Sequence, residues 1–406
     1  MKKAAFLLCL TLSLFFFVLP GAAQNLQAQT PPELISQAAV VMDAATGTII
    51  FQKNADQEIP PASLTKLMTM HLVFREIAAG RTSLEEIITP PRESWAANQP
   101  PRSSLMYLAN GHRLSLRELL LGLSIFSGND AAVAAALHVA PSVDAFAEMM
   151  NREAAAMGLT RTRFVEPSGI SEFNMTTAGE FARFCRIYLE ANPDSLKNFH
   201  SVREFAYPET WNLPEPYRSR PGTRVQSNRN TLIGRVEGVD GLKTGYIDES
   251  GYNIALTAER DGNRFIAVVL GAPAEWGGDR IRDSEGSELI AWAFNNYKTV
   301  RLYPEKIEPA RLWKGRDDQI ELVWKGETVF TALRERGGNL RWSVELKEPL
   351  IAPLPAGSPA GDLVLYDSFG ELRRFQIVTA QEAEAGGFFK RLLDSIKLFF
   401  LSSVVR

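Results

Sequence analysis

The sequence predicts an α/β protein of the α+β kind, in which a first domain of sheet and helices precedes a small all-β domain. Two strand-like runs, at residues 38–42 and 48–51, flank a turn near the start of the chain. Two more, at residues 251–258 and 264–270, flank a turn far along the chain, and both pairs are typical of β-hairpins. Because helical segments fill the interval, we predict one sheet built from both hairpins, with a helical subdomain.

The helices are predicted from strongly apolar, Ala-rich or amphipathic segments and from end signals. They are Leu67–Ala79, Leu114–Phe126, Asp130–Val139, Val143–Met157 with Gly158 as a C-cap, Thr177–Leu189 and Leu289–Tyr297. Beyond about residue 300 the pattern changes to short strand-like runs separated by Gly and Pro turns, which predicts the all-β domain. These runs are residues 320–324, 328–333, 340–346, 363–366 and 374–378.

The composition argues against nucleic-acid binding, a zinc site and an intrachain disulfide. The chain has 406 residues with 44 basic and 47 acidic side chains, so its net charge of −3 provides no basic field to recruit nucleic acid. The four histidines are scattered without the spacing of a zinc site, and we expect no metal or cofactor. Cys9 lies in the leader described next, which leaves Cys185 as the one cysteine of the mature chain and excludes an intrachain disulfide.

The N-terminus has the pattern of a secretory signal peptide, residues 1–23. Lys2 and Lys3 precede an apolar run from Ala4 to Leu19, and small residues follow up to a predicted cleavage after Ala23. The alternative is an N-terminal membrane anchor. A signal peptide would place the mature chain outside the cytoplasm, on the periplasmic face of the cytoplasmic membrane.

The C-terminal stretch 386–406 predicts an amphipathic helix behind a Gly386-Gly387 hinge. Large apolar side chains fall on one side of the helix and Lys390, Arg391, Asp394 and Lys397 towards the other. The charges interrupt the run too often for a spanning helix, which needs about 20 apolar residues. We therefore expect the helix to lie at an anionic membrane surface, and the alternative is docking on its own protein or on a dimer partner.

Ser63 lies where the first helix begins, three residues before Lys66 and on the same face. A serine hydroxyl is a poor nucleophile unless a base lies within hydrogen-bonding reach, and a desolvated lysine can be that base. Taken alone, a serine at a helix start is more often an N-cap.

Two later motifs favour a nucleophilic Ser63 over an N-cap. Ser127-Gly128-Asn129 follows the apolar helix, 64 residues after Ser63 (127 − 63), and Lys243-Thr244-Gly245 precedes the second hairpin, 116 residues further on (243 − 127). Ser-x-x-Lys, Ser-Asp-Asn and Lys-Thr-Gly form the set shared by class A β-lactamases and penicillin-binding proteins, and this chain has Ser-Gly-Asn as the middle motif. Each motif is weak alone, but the three in this order and local context predict catalysis.

The chain resembles the low-molecular-weight penicillin-binding proteins that are serine D-Ala-D-Ala carboxypeptidases. The resemblance covers essentially the whole mature chain and implies a β-lactamase/transpeptidase-like fold, with an antiparallel sheet flanked by helices. The residues that carry it are Pro61–Lys66, Ser127–Ala131, Asp240–Gly245, the β-domain segments Leu312–Gly315 and Glu348–Pro353, and the ending Gly386–Arg391. The predicted domains are 31–299 for the D,D-peptidase, 300–384 for the β-domain and 386–406 for the anchoring helix.

The resemblance also implies catalytic roles. Ser63 would attack the carbonyl between the two terminal D-alanines of a peptidoglycan pentapeptide and form an acyl-enzyme. Lys66 would accept the proton of Ser63 as general base, and Ser127 would relay that proton to the leaving amine. β-Lactams would acylate the same serine as covalent inhibitors.

Substrate-binding roles fall on a second set. One member, Arg229, resembles a family position near the substrate carboxylate, although a surface arginine is the ordinary interpretation. The backbone N–H groups of Ser63 and Tyr246 would form the oxyanion hole. The whole predicted set is Asn129, Arg229, Lys243, Thr244, Gly245 and Tyr246.

Two positions depart from the family pattern. Tyr246 stands where many relatives have histidine, and Glu166-Pro167 lies in a loop that is usually Asn-Pro-His/Asp-Gly-Leu. Glu166 superficially resembles the deacylating glutamate of class A β-lactamases, but Ile170 occupies the position of their asparagine, so we interpret Glu166 as structural or solvated. A β-lactamase, a D,D-endopeptidase and a catalytically silent wall-binding scaffold remain the alternative functions.

Overall fold

A computed structural model describes residues 28–275, 277–303 and 306–404, so the predicted signal peptide lies outside the described residues. The helices are α1 Lys66–Ala78, α2 Leu116–Leu121, α3 Asn129–Val139, α4 Val143–Ala156, α5 Ala178–Ala191, α6 Gly278–Asn296 and α7 Phe388–Val404. The strands of the first domain are β1 Ala38–Asp43, β2 Ile49–Lys53, β3 Glu58–Ile59, β4 Ile87–Ile88, β5 Leu114–Ser115, β6 Thr176–Thr177, β7 Glu204–Tyr207, β8 Arg224–Ser227, β9 Val239–Ile247, β10 Gly251–Arg260 and β11 Asn263–Ala272. Those of the C-terminal domain are β12 Tyr297–Arg301, β13 Ala310–Trp313, β14 Gln319–Ile320, β15 Leu322–Lys325, β16 Val329–Leu333, β17 Arg341–Leu346, β18 Leu350–Ile351, β19 Pro359–Asp367 and β20 Gly370–Thr379.

The central sheet is built from both ends of the first domain, as the sequence predicts. Its strand order is β2-β1-β11-β10-β9, and each neighbouring pair is antiparallel. Strand β1 is buried along its whole length because helices cover both faces of the sheet. Its alternate side chains belong to two cores: Val40 packs with the helical subdomain, and Val41 packs with α6.

Helix α6 differs from its prediction. The sequence predicts a helix over residues 289–297, whereas the helix begins at Gly278, and Tyr297 already starts strand β12. The first half of α6 is rich in charged residues, so it has no apolar periodicity to read. Some of these charged side chains point inwards. The Glu285 carboxylate, for example, accepts the backbone N–H groups of Ile35 and Ser36.

The described residues of the C-terminal region form strands and contain no helix before α7, in agreement with the predicted all-β domain. Four strands pair in the order β15-β20-β19-β17, three in the order β14-β13-β18, and β12 pairs with β16. Their buried apolar side chains form a separate core. Strand β12 crosses the 299/300 boundary that we predict from sequence, and all of its pairing is with the C-terminal domain.

Helix α7 docks on the C-terminal domain through its polar side. The buried Asp394 carboxylate accepts the Lys314 N–H at 2.8 Å, and Lys390 pairs with Asp318. The apolar side chains are left exposed: Phe388, Phe389, Leu392, Leu393, Ile396, Phe399, Phe400 and Leu401. Within the described residues, no helix combines the length and apolar character needed to cross a membrane.

The predicted hinge before α7 is wrong at Gly386. Its N–H donates to the Lys314 carbonyl at 2.8 Å, and a Cβ at this position would lie 2.5 Å from the Gly315 oxygen. Gly386 is therefore a close-packing glycine that fixes the start of α7 against the β-domain.

Candidate active site

Ser63 lies on a 3₁₀ turn, Ala62–Thr65, that leads directly into α1. The turn packs against strand β9 at Gly245, where a Cβ would lie 2.9 Å from both the Pro61 oxygen and the Ser63 nitrogen. Only glycine allows this approach, which brings the Ser63 backbone N–H beside the edge strand of the sheet. Lys66 is the first residue of α1, and its Nζ lies 3.1 Å from Ser63 Oγ.

Three oxygens surround the fully buried Lys66 amine. Besides Ser63 Oγ, they are Asn129 Oδ1 at 2.8 Å and the Ser168 carbonyl oxygen at 2.5 Å. The Asn129 and Ser168 oxygens can only accept hydrogen bonds. A neutral amine has two N–H groups and one lone pair, so donating to both acceptors aims the lone pair at the Ser63 hydroxyl.

Burial lowers the pKa of Lys66 to about 7, although the negative charges of Glu166 and Asp130 oppose this shift. An amine with this pKa is substantially neutral at physiological pH, whereas an ordinary lysine is almost fully protonated. The site therefore holds an amine that is able to act as a base, 3.1 Å from the Ser63 hydroxyl.

The Ser127-Gly128-Asn129 motif is held between two helical segments. Ser127 has left-handed backbone geometry (φ 60°) where a π-helical turn at residues 122–126 ends, and α3 begins at Asn129. The next residue, Asp130, is buried and accepts the N–H groups of Met106 at 2.8 Å and Leu108 at 3.0 Å. The motif therefore sits in a rigid connection braced against the 101–108 loop.

Lys243 is the second buried lysine of the site. It lies on β9, and its Nζ donates to the Thr244 carbonyl at 3.0 Å. Burial lowers the pKa of Lys243 well below its ordinary value, and the charges of Lys66, Arg229 and Arg282 add to this effect. An anion that entered here would relieve this concentration of positive charge.

One cavity of about 1000 Å³ lies beside Ser63, the Ser127-Gly128-Asn129 motif and strand β9. Of the predicted residues, Lys66 and Lys243 are buried, and the others line the cavity: Ser63, Ser127, Asn129, Arg229, Thr244, Gly245 and Tyr246. At its rim the Tyr246 ring lies 4.3 Å from that of Tyr252, and its hydroxyl donates to Asp248 at 2.7 Å. The described residues contain no group of three or more His, Cys, Asp or Glu side chains able to hold a metal ion.

Some parts of the site are not predicted from the sequence. Arg282 lines the cavity from the charged half of α6, which the apolar pattern does not reveal. The Ser168 oxygen is a backbone group, so no side-chain motif marks it. Ser103 accepts from Asn129 Nδ2 at 3.2 Å and lies in a Pro-rich loop, where a serine is unremarkable.

A serine hydroxyl next to a buried lysine, in a cleft edged by a β-strand, defines a serine hydrolase. The profile of D-alanyl-D-alanine carboxypeptidases matches residues 25–274, and that of the penicillin-binding protein 5 C-terminal domain matches residues 297–385. The chain therefore belongs to the D-alanyl-D-alanine carboxypeptidase family, which confirms the resemblance described above.

Individual relatives agree with this membership. The chain is 33% identical over 398 residues to D-alanyl-D-alanine carboxypeptidase DacD of Escherichia coli K12, covering 95% of this chain and 97% of that protein. The solved structure of penicillin-binding protein 5 from Haemophilus influenzae is 28% identical, with a TM-score of 0.72 over 88% of this chain and 99% of that one. A D-alanyl-D-alanine endopeptidase of Pseudomonas aeruginosa is 30% identical over 331 residues, covering 78% of this chain and 96% of the relative.

Proposed function

We propose that this chain removes the terminal D-alanine from peptidoglycan stem pentapeptides by way of an acyl-serine intermediate. The observation that carries this proposal is the set of partners around Lys66, which aims a neutral amine at Ser63. Family membership supplies the substrate class.

In the first half of the reaction, Ser63 Oγ bonds to the carbonyl carbon between the two D-alanines, while its proton passes to Lys66 Nζ. The N–H groups of Ser63 and Tyr246 donate to the oxyanion that forms. The proton then passes through the Ser127 hydroxyl to the leaving nitrogen, the C–N bond breaks, and D-alanine departs.

In the second half, water attacks the ester carbon, and the Ser63–carbon bond breaks. The water supplies one proton to Ser63 Oγ and its hydroxyl to the shortened peptide. No step changes an oxidation state or needs a cofactor.

The substrate's terminal carboxylate would bind at the positive end of the cavity. Arg229 provides positive charge there, the Thr244 hydroxyl provides a donor, and the carboxylate would raise the pKa of the buried Lys243 behind them and so favour its charged form. A D-alanyl-D-alanine carboxypeptidase matches 95% of this chain and a D-alanyl-D-alanine endopeptidase matches 78%, which favours a carboxypeptidase over an endopeptidase. β-Lactams carry an equivalent carboxylate, and we infer that they acylate Ser63.

Release of D-alanine from a defined pentapeptide tests this function. The wild-type chain should release D-alanine, and Ser63→Ala should release none while retaining its fold by circular dichroism. Absence of release by the wild type, together with retained binding to cell wall, would support the scaffold alternative. Preferential cleavage of cross-linked muropeptides would support the endopeptidase alternative, and rapid turnover of a chromogenic cephalosporin would support a β-lactamase.

We further propose that the mature chain works outside the cytoplasm, exported by residues 1–23 and held at the membrane surface by α7. A helix that docks through its polar side and exposes its aromatic side reverses the arrangement expected of a soluble protein, and it suits an interfacial anchor. The flanking Lys and Arg residues suit anionic lipid.

Co-sedimentation of the chain lacking residues 1–23 with phosphatidylglycerol vesicles tests the anchor. Phe389→Glu, on the exposed side of α7, should weaken vesicle binding strongly, because a charge replaces an inserted aromatic ring. Tyr303→Glu is the matched control, since Tyr303 is at least as exposed as Phe389 but lies outside the helix. Equal binding by the Phe389 variant and the wild type would contradict the proposal.

A further inference from the structure

Glu166 organises the loop that supplies the third partner of Lys66. One oxygen of its carboxylate accepts the Ser168 N–H at 2.7 Å and the Ser168 hydroxyl at 2.6 Å. The other accepts the Gly169 N–H and the Asn174 side-chain amide, both at 2.6 Å. Asn174 in turn accepts the Val165 N–H at 2.7 Å, which ties the start of the loop to its end.

The same loop presses against the nucleophile turn. Gly169 has a φ of +80°, and a Cβ there would lie 1.8 Å from the Ala62 oxygen, so the loop backbone lies directly against the turn that carries Ser63. The Ser168 carbonyl oxygen reaches Lys66 Nζ at 2.5 Å from this position. The location of that oxygen therefore depends on the hydrogen bonds that Glu166 makes to its neighbours.

We propose that Glu166 is a positioning residue for acylation of Ser63: its carboxylate holds the 166–171 loop so that the Ser168 carbonyl fixes the orientation of the Lys66 amine. With Ser168 and Asn129 both accepting, the lone pair of the neutral amine has one direction left, towards Ser63 Oγ. A slack loop would let the amine rotate and turn its lone pair away.

The contacts also argue against a different role. Both carboxylate oxygens of Glu166 already accept hydrogen bonds from the loop, so neither is free to take a proton from a deacylating water. This distinguishes Glu166 from the general base of a β-lactamase, which its sequence context superficially resembles.

The charge of Glu166 has a second effect. Two charged groups shift the pKa of Lys66, Glu166 from the loop and Asp130 from α3, and Lys66 in turn lowers the pKa of Lys243 on β9. Glu166 and Asp130 raise the pKa of Lys66 against the larger effect of burial. Removing the negative charge of Glu166 would lower the pKa of Lys66, so the amine would lose its proton at lower pH.

The test is the pH profile of acylation by a fluorescent penicillin in Glu166→Gln. The amide keeps one acceptor oxygen but turns an NH₂ group towards two loop donors. We expect acylation to slow by about tenfold or more on the plateau, with the rising limb displaced to lower pH. Glu172→Gln, which removes an exposed charge one residue beyond the 166–171 loop, is the matched control and should behave as wild type.

Glu166→Asp provides a second variant, because it keeps the charge but shortens the reach to the loop. It should acylate more slowly than wild type with an unshifted rising limb, and it carries the test should the Gln variant not fold. The inference would be overturned if Glu166→Gln were acylated at the wild-type rate with the wild-type rising limb of the pH profile. It would also be overturned if Glu166→Asp were acylated at the wild-type rate. Normal acylation with slow deacylation in Glu166→Gln would overturn it in favour of a deacylating base.

This inference rests on the proposed acylation of Ser63, and the two can fail separately. A wild-type chain that no penicillin labels would contradict the proposed function and this inference with it. A labelled wild type with indistinguishable Glu166 variants would contradict the inference alone.

Discussion

The two buried lysines of the site have different surroundings, and the difference suits different roles. Lys66 is surrounded by three oxygens that orient its amine, whereas Lys243 donates to a carbonyl of its own strand. Burial lowers the pKa of both. A substrate carboxylate at Lys243 would raise the pKa of that lysine and leave Lys66 as the group able to lose its proton.

The pH dependence of acylation follows from Lys66. Its pKa of about 7 means that the protonated form, which cannot accept a proton from Ser63, predominates below pH 7. We expect the acylation rate at low penicillin concentration to fall about tenfold for each pH unit below 7 and to level off above 8. Stopped-flow fluorescence from pH 5.5 to 8.5, with circular dichroism to verify the fold, measures this, and a flat profile would contradict it.

At the scale of elements, close backbone contacts build the site. The Ala62–Thr65 turn lies between strand β9 and the 166–171 loop, and a glycine makes each contact: Gly245 on one side and Gly169 on the other. A side chain at either position would separate the elements that bring Ser63, Lys66 and the Ser168 carbonyl together.

Gly169→Ala tests this packing against a matched control. The substitution combines a strained positive φ, about 1–2 kcal/mol, with a clash against the Ala62 oxygen, so we expect a loss of about 2–5 kcal/mol and very slow penicillin acylation. Gly158→Ala has a similar φ with open space around the new Cβ and should cost about 1 kcal/mol with unchanged acylation. Urea denaturation gives both free energies of unfolding, and equal losses would contradict the packing argument.

The sequence predicts those elements whose side chains repeat with the period of their secondary structure. Both hairpins of the sheet and helices α4 and α5 are confirmed for this reason, and α3 is confirmed from its Ala-rich composition. The first half of α6 is missed because its inward-facing groups are charged, as at Glu285. Gly386 is misread because a glycine that packs closely and a glycine that bends look the same in sequence.

The site likewise contains parts that the sequence predicts and parts that it does not. Side-chain patterns in the sequence indicate Ser63, Lys66 and the two later motifs. The structure places these residues in or beside one cavity. The Ser168 carbonyl and the loop contacts of Glu166 are set by backbone position, which depends on the tertiary fold. From sequence Glu166 is interpreted as structural or solvated, and its loop contacts favour the structural interpretation, for which the sequence gives no reason.

At the scale of the whole molecule, the C-terminal domain attaches far from the active site. Asp43, fully buried at the end of β1, accepts the hydroxyls of Thr299 at 2.9 Å and Thr331 at 2.8 Å. Through the sheet register, Asp43 lies opposite Phe265, and Phe265 opposite Ala258. Ala258 pairs with Val239, at the far end of β9 from Gly245, about 20 Å away along the strand.

Because of this distance, we expect a substitution at Asp43 to lower the free energy of unfolding without changing the acylation rate. Asp43→Ala removes the shared acceptor and leaves the two threonine hydroxyls without it, so we expect a loss of about 1–3 kcal/mol in the free energy of unfolding. Acylation by penicillin should match wild type because the site is remote. Asp56→Ala, at an exposed aspartate, is the control, and a large fall in acylation of folded Asp43→Ala would contradict this separation.

The expected effects on acylation all depend on acylation of Ser63. Incubation of the chain with benzylpenicillin, followed by proteolysis and mass spectrometry, tests it most directly. We predict one penicilloyl adduct, on the peptide that contains Ser63, and its absence from Ser63→Ala. An adduct on another peptide, or equal labelling of Ser63→Ala, would contradict the account.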